Sequence, residues 1–236
     1  MSGPDDHRVR TPAAVLFDMD GTLVDTETLW WDAAAEVAEG LGHRLSDADA
    51  PEVVGRAVAD TAAHLVRMTG APRVETVAAD LAGSFLRRVE AGAPPRPGAC
   101  QLLAALEQAG VPFALVSASP RSVVDSVVAG SLADVAFAFT LSADDTVRTK
   151  PYPDPYRAAA ERFGVATGAC VAVEDSPDGT ASAEAAGCPV LVVPSLLPVA
   201  PGKGRYFASS LEDVDPAVLE GVILATSDRF FAQTSG

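Results

Sequence analysis

The chain is short of positive charge. Its 236 residues carry 17 Lys and Arg against 32 Asp and Glu, which gives a formal net charge of −15. Such a surface repels a phosphate backbone, so we exclude nucleic acid as a partner. Lysine is especially scarce, because only Lys150 and Lys203 occur. Most basic positions in this sequence are therefore arginine, and a lysine is an exception.

Cysteines and long apolar runs are also few. The three cysteines, Cys100, Cys170 and Cys188, lie far apart and match no metal-ligand spacing, so we expect buried free thiols. No run approaches the length of a membrane span, and the N-terminal stretch MSGPDDHRVRTP is polar. We expect a cytoplasmic protein without a membrane partner, as a monomer or weak dimer.

Residues 15 to 27 read VLFDMDGTLVDTE and join an apolar segment to a pair of carboxylates. The residues from Val15 to Phe17 are typical of a strand buried on both faces. Because strand side chains alternate, Asp18 and Asp20 share one side at the carboxyl end of that strand. Two like charges this close need either a shared proton or a cation, unless they form a solvated turn.

The remaining pattern predicts an α/β fold. From residue 22 to 93 the periodicity is helical and no convincing strand occurs, whereas helices and strands alternate after the breaker run APPRPG. Strands are expected over 112–116, 135–140, 170–173, 190–193 and 206–208. We therefore predict a doubly wound, Rossmann-like parallel sheet over residues 1–21 and 94–236, with an inserted all-helical cap subdomain over residues 22–93.

Polar residues recur where the predicted strands end, in VSASP, RTKPYPDPY and VEDSP. Each of these residues, taken alone, can be explained without a role in binding or catalysis. Ser119 and Ser176 precede prolines and can cap helices, Lys150 can be a solvated loop residue, and Glu174 and Asp175 can be ordinary surface acids.

Together these residues favour a metal and phosphate site. In a parallel sheet the carboxyl ends of the strands meet at one edge, which brings together Asp18, Asp20, Glu174 and Asp175. Four carboxylates need a cation, and Mg²⁺ prefers oxygen ligands and often bridges to a substrate phosphate. No cluster of His or Cys competes for zinc.

A phosphoryl group bound to such a cation needs hydrogen-bond donors. The candidates are the Ser117 hydroxyl, the backbone N–H groups at the helix start after Ser119, and the Lys150 ammonium group. The sequence therefore contains the groups needed for phosphoryl transfer.

The motifs DMDGT, VSASP, the lysine of KPYPDPY and VEDSPDGTASAEAAG follow one another in an order that resembles the haloacid dehalogenase superfamily. The resemblance is to the branch with a helical cap after the first strand, and it extends from Ala13 to about Pro194. It implies that Asp18 is a nucleophile that forms an aspartyl-phosphate and that Asp20 is the general acid and base.

The resemblance also implies roles for the other motifs. Ser117 would hold the phosphoryl oxygens, and Lys150 would neutralise charge on the nucleophile and phosphate. Gly21 would let the chain turn close to the phosphate, near Ala118 and Ser119. Magnesium would be bound by Asp18, the backbone carbonyl of Asp20, Glu174 and Asp175.

The expected activity is a magnesium-dependent phosphatase of small phosphorylated metabolites, such as sugar phosphates. Asp20 argues against dehalogenation, because the dehalogenase subgroup lacks this second aspartate. A mutase resembling beta-phosphoglucomutase is the alternative, although its polar cap residues are replaced by Trp30, Val54 and Val58. A phosphoacceptor module of the receiver type is an alternative of another class, but it lacks a long helical insertion.

Two cap residues are candidates for substrate contacts. Arg56, beside Gly55, can reach a substrate phosphate or hydroxyl. That it is a solvated cation at a helix end is an equally good interpretation. Trp30 can stack on a sugar face, although packing inside the cap explains a tryptophan there equally well.

Overall fold

The computed structural model describes the backbone of residues 11–233 and the side chains to residue 226. Within this range six parallel strands form one sheet in the order β3-β2-β1-β4-β5-β6. They are β1 (Ala14–Phe17), β2 (Phe113–Val116), β3 (Thr140–Leu141), β4 (Cys170–Glu174), β5 (Val190–Val192) and β6 (Arg205–Phe207). This order is the doubly wound arrangement, so the predicted fold class is confirmed.

Five helices lie between β1 and β2, and the first four of them form the insertion. These four are α1 (Glu27–Gly40), α2 (Ala50–Val53), α3 (Val58–Thr69) and α4 (Val74–Gly92). The others that the described residues form are α5 (Ala99–Ala109), α6 (Arg121–Ala129), α7 (Asp154–Phe163), α8 (Pro177–Ala186) and α9 (Pro216–Gln233). No helix in residues 11–233 combines the length and apolarity that crossing a bilayer requires.

The sheet is buried on both faces, which explains why its strands are continuously apolar. Alternate residues of β1 belong to two clusters: Val15 and Phe17 pack with α5, α6 and α9, whereas Ala14 and Leu16 pack with α7 and α8. The strands are therefore fixed in position, and so are the side chains at their carboxyl ends.

The inserted helices have a core of their own, formed by Ala34, Ala38, Val53, Ala62, Leu65, Val77 and Leu81. The segment that leads into this insertion and the segment that leads out of it run side by side. The Asp25 N–H donates to the Pro94 carbonyl at 2.8 Å, and the Arg96 N–H donates to the Leu23 carbonyl at 2.8 Å. The two connections are thus tied to each other at the base of the cap.

Some local predictions were wrong. The strand expected over 135–140 is only Thr140–Leu141, because the backbone of 132–137 folds into turns that direct Val135 and Phe137 to the core. Cys170 and Cys188 are buried free thiols as expected, but Cys100 is exposed. It lies on the solvent side of α5, whose leucines face the sheet.

The two Ser-Pro sequences differ in structure. Ser176 caps α8 by accepting a hydrogen bond from the Gly179 N–H at 3.1 Å. Ser119 is not the cap of α6, which follows Pro120, and its hydroxyl points to Asp20 instead.

Candidate active site

Asp18 lies where β1 ends, and one of its two carboxylate oxygens has no hydrogen-bond partner among the residues that the structure describes. Its backbone N–H still pairs with the Val173 carbonyl of β4, at 3.0 Å. The side chain is buried, and Oδ1 accepts from Lys150 Nζ at 2.5 Å. Oδ2 is equally buried and accepts no hydrogen bond. Because buried polar atoms are nearly always paired, Oδ2 marks a position for an additional group.

Glu174, the last residue of β4, is held on several sides. Its Oε1 accepts from Lys150 Nζ at 2.7 Å and from the Tyr156 hydroxyl at 2.5 Å. Gly179 of α8 leaves the room that the carboxylate occupies, because a Cβ there would lie 2.0 Å from both of its oxygens. The Glu174 side chain therefore has almost no freedom to move.

Asp175 follows directly and is also buried. Its Oδ2 accepts a hydrogen bond from the Ser195 hydroxyl, and its Oδ1 accepts from the Thr22 hydroxyl at 3.3 Å. Gly21 approaches it closely: its φ is +82°, and a Cβ would lie 2.2 Å from Asp175 Oδ2. Only glycine fits this position without strain.

These three carboxylates form the candidate metal centre. One oxygen from each of Asp18, Glu174 and Asp175 lies within 4.8 Å of the others. Burial, opposed by the Lys150 charge, raises the pKa of Asp18 well above its usual value. Burial and the charge of Glu174 raise the pKa of Asp175 to about 7. A divalent cation would offset this crowding of charge, and an all-oxygen donor set suits magnesium or a similarly hard ion.

Lys150 supplies the positive charge that the protein itself brings to this group. Burial alone would lower its pKa, but the charges of Asp18 and Glu174 outweigh that effect and raise it above the ordinary value. Burial and the Glu174 charge also raise the pKa of Tyr156, so its hydroxyl keeps the proton that it donates. Lys150 is therefore a permanent cation beside Asp18.

Asp20 faces hydroxyl groups rather than the three clustered carboxylates. Its Oδ1 accepts from Thr26 at 2.7 Å, and its Oδ2 accepts from Ser117 at 3.0 Å and from Ser119 at 2.8 Å. Ala118 lies exposed between the two serines. The motif after β2 thus meets the motif after β1, and the expected metal contact of Asp20 through its backbone carbonyl stays a prediction.

The two cap candidates make hydrogen bonds within the cap. Trp30 Nε1 donates to the Val53 carbonyl at 2.9 Å, and the ring meets Phe85 edge to face at 5.5 Å. Arg56 is exposed, and its Nε donates to the Pro51 carbonyl at 2.9 Å. Their roles in substrate binding stay predictions.

Four further side chains belong to the site although the sequence analysis did not select them. Thr26 and Tyr156 hydrogen-bond to Asp20 and Glu174, and Ser195 to Asp175. Glu27 is half-buried, and its Oε2 has no hydrogen-bond partner within the described part of the chain. Thr26 and Glu27 stand within the quoted DMDGTLVDTE stretch and could have been weighed there, whereas Ser195 follows β5 in a loop without a motif.

Comparison with known proteins identifies the family. The model of the haloacid dehalogenase-like hydrolases matches residues 12–187, which contain the metal-binding candidates and Lys150. The chain belongs to this family. As a haloacid dehalogenase-like hydrolase it has the sheet and the inserted helices that its motifs led us to expect.

Several relatives of this hydrolase are named as phosphatases. Hexitol phosphatase A of Escherichia coli is 35% identical over 192 residues, which cover 75% of this chain and 81% of the relative. Protein CbbY of Cupriavidus necator is 34% identical over 210 residues, covering 77% and 78%. The structure of CbbY from Rhodobacter sphaeroides in complex with phosphate is 26% identical, with a TM-score of 0.72 over 85% of this chain and 95% of that one. These matches confirm the predicted enzyme class, phosphoric monoester hydrolase.

Proposed function

We propose that the protein is a magnesium-dependent phosphatase that hydrolyses phosphate esters of sugars or sugar alcohols through an aspartyl-phosphate. The observation that carries the proposal is Asp18, a buried carboxylate with one oxygen fixed by Lys150 and the other without a protein partner. An oxygen held in this way is oriented to attack phosphorus. The hexitol phosphatases among the relatives support the substrate class.

The residues divide the chemistry between them. Asp18 attacks phosphorus, the bond from phosphorus to the substrate oxygen breaks, and Asp20 donates a proton to that oxygen. Asp20 then removes a proton from water, which attacks the aspartyl-phosphate and releases inorganic phosphate. Lys150 balances the charge of Asp18, and Ser117 holds a phosphoryl oxygen. A magnesium ion held by Asp18, Glu174 and Asp175 would neutralise the phosphate charge.

Glu27 supports a polyhydroxylated substrate. It directly follows Thr26, whose hydroxyl donates to Asp20 at 2.7 Å, and burial together with the charges of Asp25 and Asp20 raises its pKa. A buried carboxylate oxygen without a partner needs a donor, and a sugar hydroxyl next to the phosphate ester supplies one. We propose Glu27 as the residue that accepts this hydrogen bond.

The test is phosphate release from a panel of hexose and hexitol phosphates, in Mg²⁺ and in excess chelator. We expect many phosphates released per enzyme in Mg²⁺ and none in chelator. Asp18→Asn should lower turnover at least about a thousandfold, because the amide cannot attack phosphorus. Its melting temperature should show that it is folded. Full activity in chelator or in Asp18→Asn would overturn the proposal, and a single turnover would indicate a phosphoacceptor module.

The same assay distinguishes hydrolysis from a mutase reaction. A mutase must hold a sugar bisphosphate until it rebinds in the reversed orientation, and Trp30, Val54 and Val58 offer no charged group for this purpose. We therefore expect ³¹P NMR to show inorganic phosphate and little positional isomer. Rapid isomerisation primed by a bisphosphate, with negligible phosphate release, would instead identify a mutase.

A further inference from the structure

The loop after β5 touches both the carboxylate group and the cap. We name residues 194–198, with the sequence Pro-Ser-Leu-Leu-Pro, the coupling loop. Near its start, Ser195 Oγ donates to Asp175 Oδ2. Two residues later the side chain of Leu197 lies against the cap at Gly55, where a Cβ would be 2.7 Å from Leu197 Cδ1. One residue therefore separates a contact to a metal-binding candidate from a contact to the cap.

The composition of the coupling loop makes it stiff. Pro194 and Pro198 each have a fixed φ, and each restricts the residue before it, Val193 and Leu197. The Val193 N–H donates to the Glu174 carbonyl at 2.7 Å, which anchors the loop to β4. Prolines therefore restrict both ends of the short segment that carries Ser195 and Leu197.

At the metal end, both oxygens of the Asp175 carboxylate accept hydrogen bonds. Ser195 donates to Oδ2, and Thr22 donates to Oδ1 at 3.3 Å. Side chains that hydrogen-bond to a metal ligand set its orientation, and their loss lowers metal affinity. Ser195 contacts the ligand candidate and is not itself part of the carboxylate group.

At the cap end, the contact depends on one apolar side chain. Leu197 is 36% exposed and Leu196 is 58% exposed. Both atoms within 4 Å of a Cβ built on Gly55 belong to Leu197. Gly55 lies in the turn between α2 and α3 that also carries Arg56. The turn is therefore positioned, in part, by Leu197.

We propose that the coupling loop links the cation site to the cap. In this proposal Ser195 is a positioning residue that orients Asp175 toward the divalent cation. Leu197 transmits the resulting position of the loop to the cap turn at Gly55. The inference rests on the cation site of the proposed function, and it predicts that Mg²⁺ binding is detectable at the cap in the absence of substrate.

The two tryptophans allow both ends to be measured separately. Trp30 and Trp31 are the only tryptophans in the sequence, and both lie on α1 of the cap. Intrinsic fluorescence therefore reports on the cap, while calorimetry reports on Mg²⁺ binding itself. The variants are Ser195→Ala with Ser195→Thr as its conservative match, and Leu197→Ala with Leu196→Ala as its neighbouring control. Melting temperatures establish that each variant is folded.

We expect Ser195→Ala to weaken Mg²⁺ binding by about tenfold or more, and Ser195→Thr to restore most of it. Leu197→Ala should bind Mg²⁺ as the wild type does but lose most of the fluorescence change, which Leu196→Ala should keep. Unchanged Mg²⁺ affinity in Ser195→Ala, or an unchanged fluorescence response in Leu197→Ala, would overturn the inference. If the wild type itself binds no Mg²⁺, that result contradicts the cation site of the proposed function.

Discussion

At the residue scale, the site is a set of carboxylates whose surroundings differ sharply. Asp18 has a lysine on one oxygen and no protein partner on the other, whereas Asp20 accepts hydrogen bonds from three hydroxyl groups. Such a contrast suits two separate tasks, attack on phosphorus and proton transfer. Glu27 follows Thr26, which hydrogen-bonds to Asp20, and we assign it to neither task.

We expect Glu27→Gln to raise KM for a hexitol phosphate about tenfold, because an amide oxygen is a weaker acceptor than a carboxylate oxygen. An aryl phosphate has no hydroxyl at this position and serves as the internal control, so its kcat/KM should change little. Steady-state kinetics on both substrates provide the measurement. Equal losses on both would show that Glu27 acts on the phosphate chemistry instead.

The sequence could predict the residues that stand in motifs at strand ends, since alternation and a parallel sheet are enough to bring Asp18, Glu174 and Asp175 together. It could not predict Ser195, because its contact depends on how a loop without a motif folds across Gly21. The side-chain partners of Trp30 and Arg56 were equally hidden. These partners depend on how α1 and α2 pack against each other, and the local sequence pattern does not specify that packing.

At the scale of elements, the start of α8 is shaped to the site. Gly179 in its first turn lies against Glu174, whose carboxylate is held in place by Lys150 and Tyr156. A methyl group added at Gly179 would therefore displace the Glu174 carboxylate at a cost in free energy.

Gly179→Ala should therefore lower the free energy of unfolding by about 1–3 kcal/mol, a typical cost of overpacking, and lower turnover at least tenfold. Gly221→Ala in α9 is the matched control, because nothing lies within 4 Å of a Cβ there. It should stabilise the protein by about 0.5–1 kcal/mol, as alanine does in helices. Denaturant unfolding of both variants, with assays of activity, checks this. A stable and active Gly179→Ala would contradict the packing described.

The beginning of α2 is held by a hydrogen-bonded cluster within the cap. Asp49 Oδ1 contacts His64 Nε2 at 2.8 Å and His43 Nε2 at 3.2 Å, and its Oδ2 accepts from the Ser46 N–H at 2.9 Å. The hydrogen bond from His64 outweighs burial and lowers the pKa of Asp49 below its ordinary value. The folded protein thus binds this proton more weakly than the unfolded chain does.

The contribution of Asp49 to stability should be complete above the pKa of the unfolded chain, about 4, and should be lost as pH falls toward its folded value. We expect Asp49→Asn to have a lower melting temperature than the wild type at pH 5. The difference should shrink as pH is lowered to 3. Thermal unfolding monitored by circular dichroism measures the two melting temperatures. A difference that grows as the pH falls from 5 to 3 would contradict the lowered pKa of Asp49 in the folded protein.

At the scale of the whole molecule, the chain has a net charge of −15, and its candidate metal centre is itself made of carboxylates. Any salt screens repulsion over such a surface, whereas the proposed site between Asp18, Glu174 and Asp175 would bind a specific cation. Stability measurements can separate the two effects.

Mg²⁺ at one hundred times its Kd should add about 2.7 kcal/mol to the free energy of unfolding, because only the folded protein binds it at a formed site. NaCl at matched ionic strength is the control and should raise the melting temperature by less. Thermal unfolding in each salt makes the comparison. An equal rise in both would mean that Mg²⁺ acts by screening alone.

The paired connections at the base of the cap have a consequence for how such enzymes diversify. The Asp25 N–H and the Pro94 carbonyl are 2.8 Å apart, so the two ends of the insertion are neighbours in space although nearly seventy residues separate them. A helical segment from another enzyme grafted in place of residues 28–88 must match this narrow gap and replace the apolar contacts that Leu29, Phe85 and Leu86 make with the core. One such exchange would bring a new set of substrate contacts to an unchanged phosphate site, so selectivity can be inherited separately from chemistry.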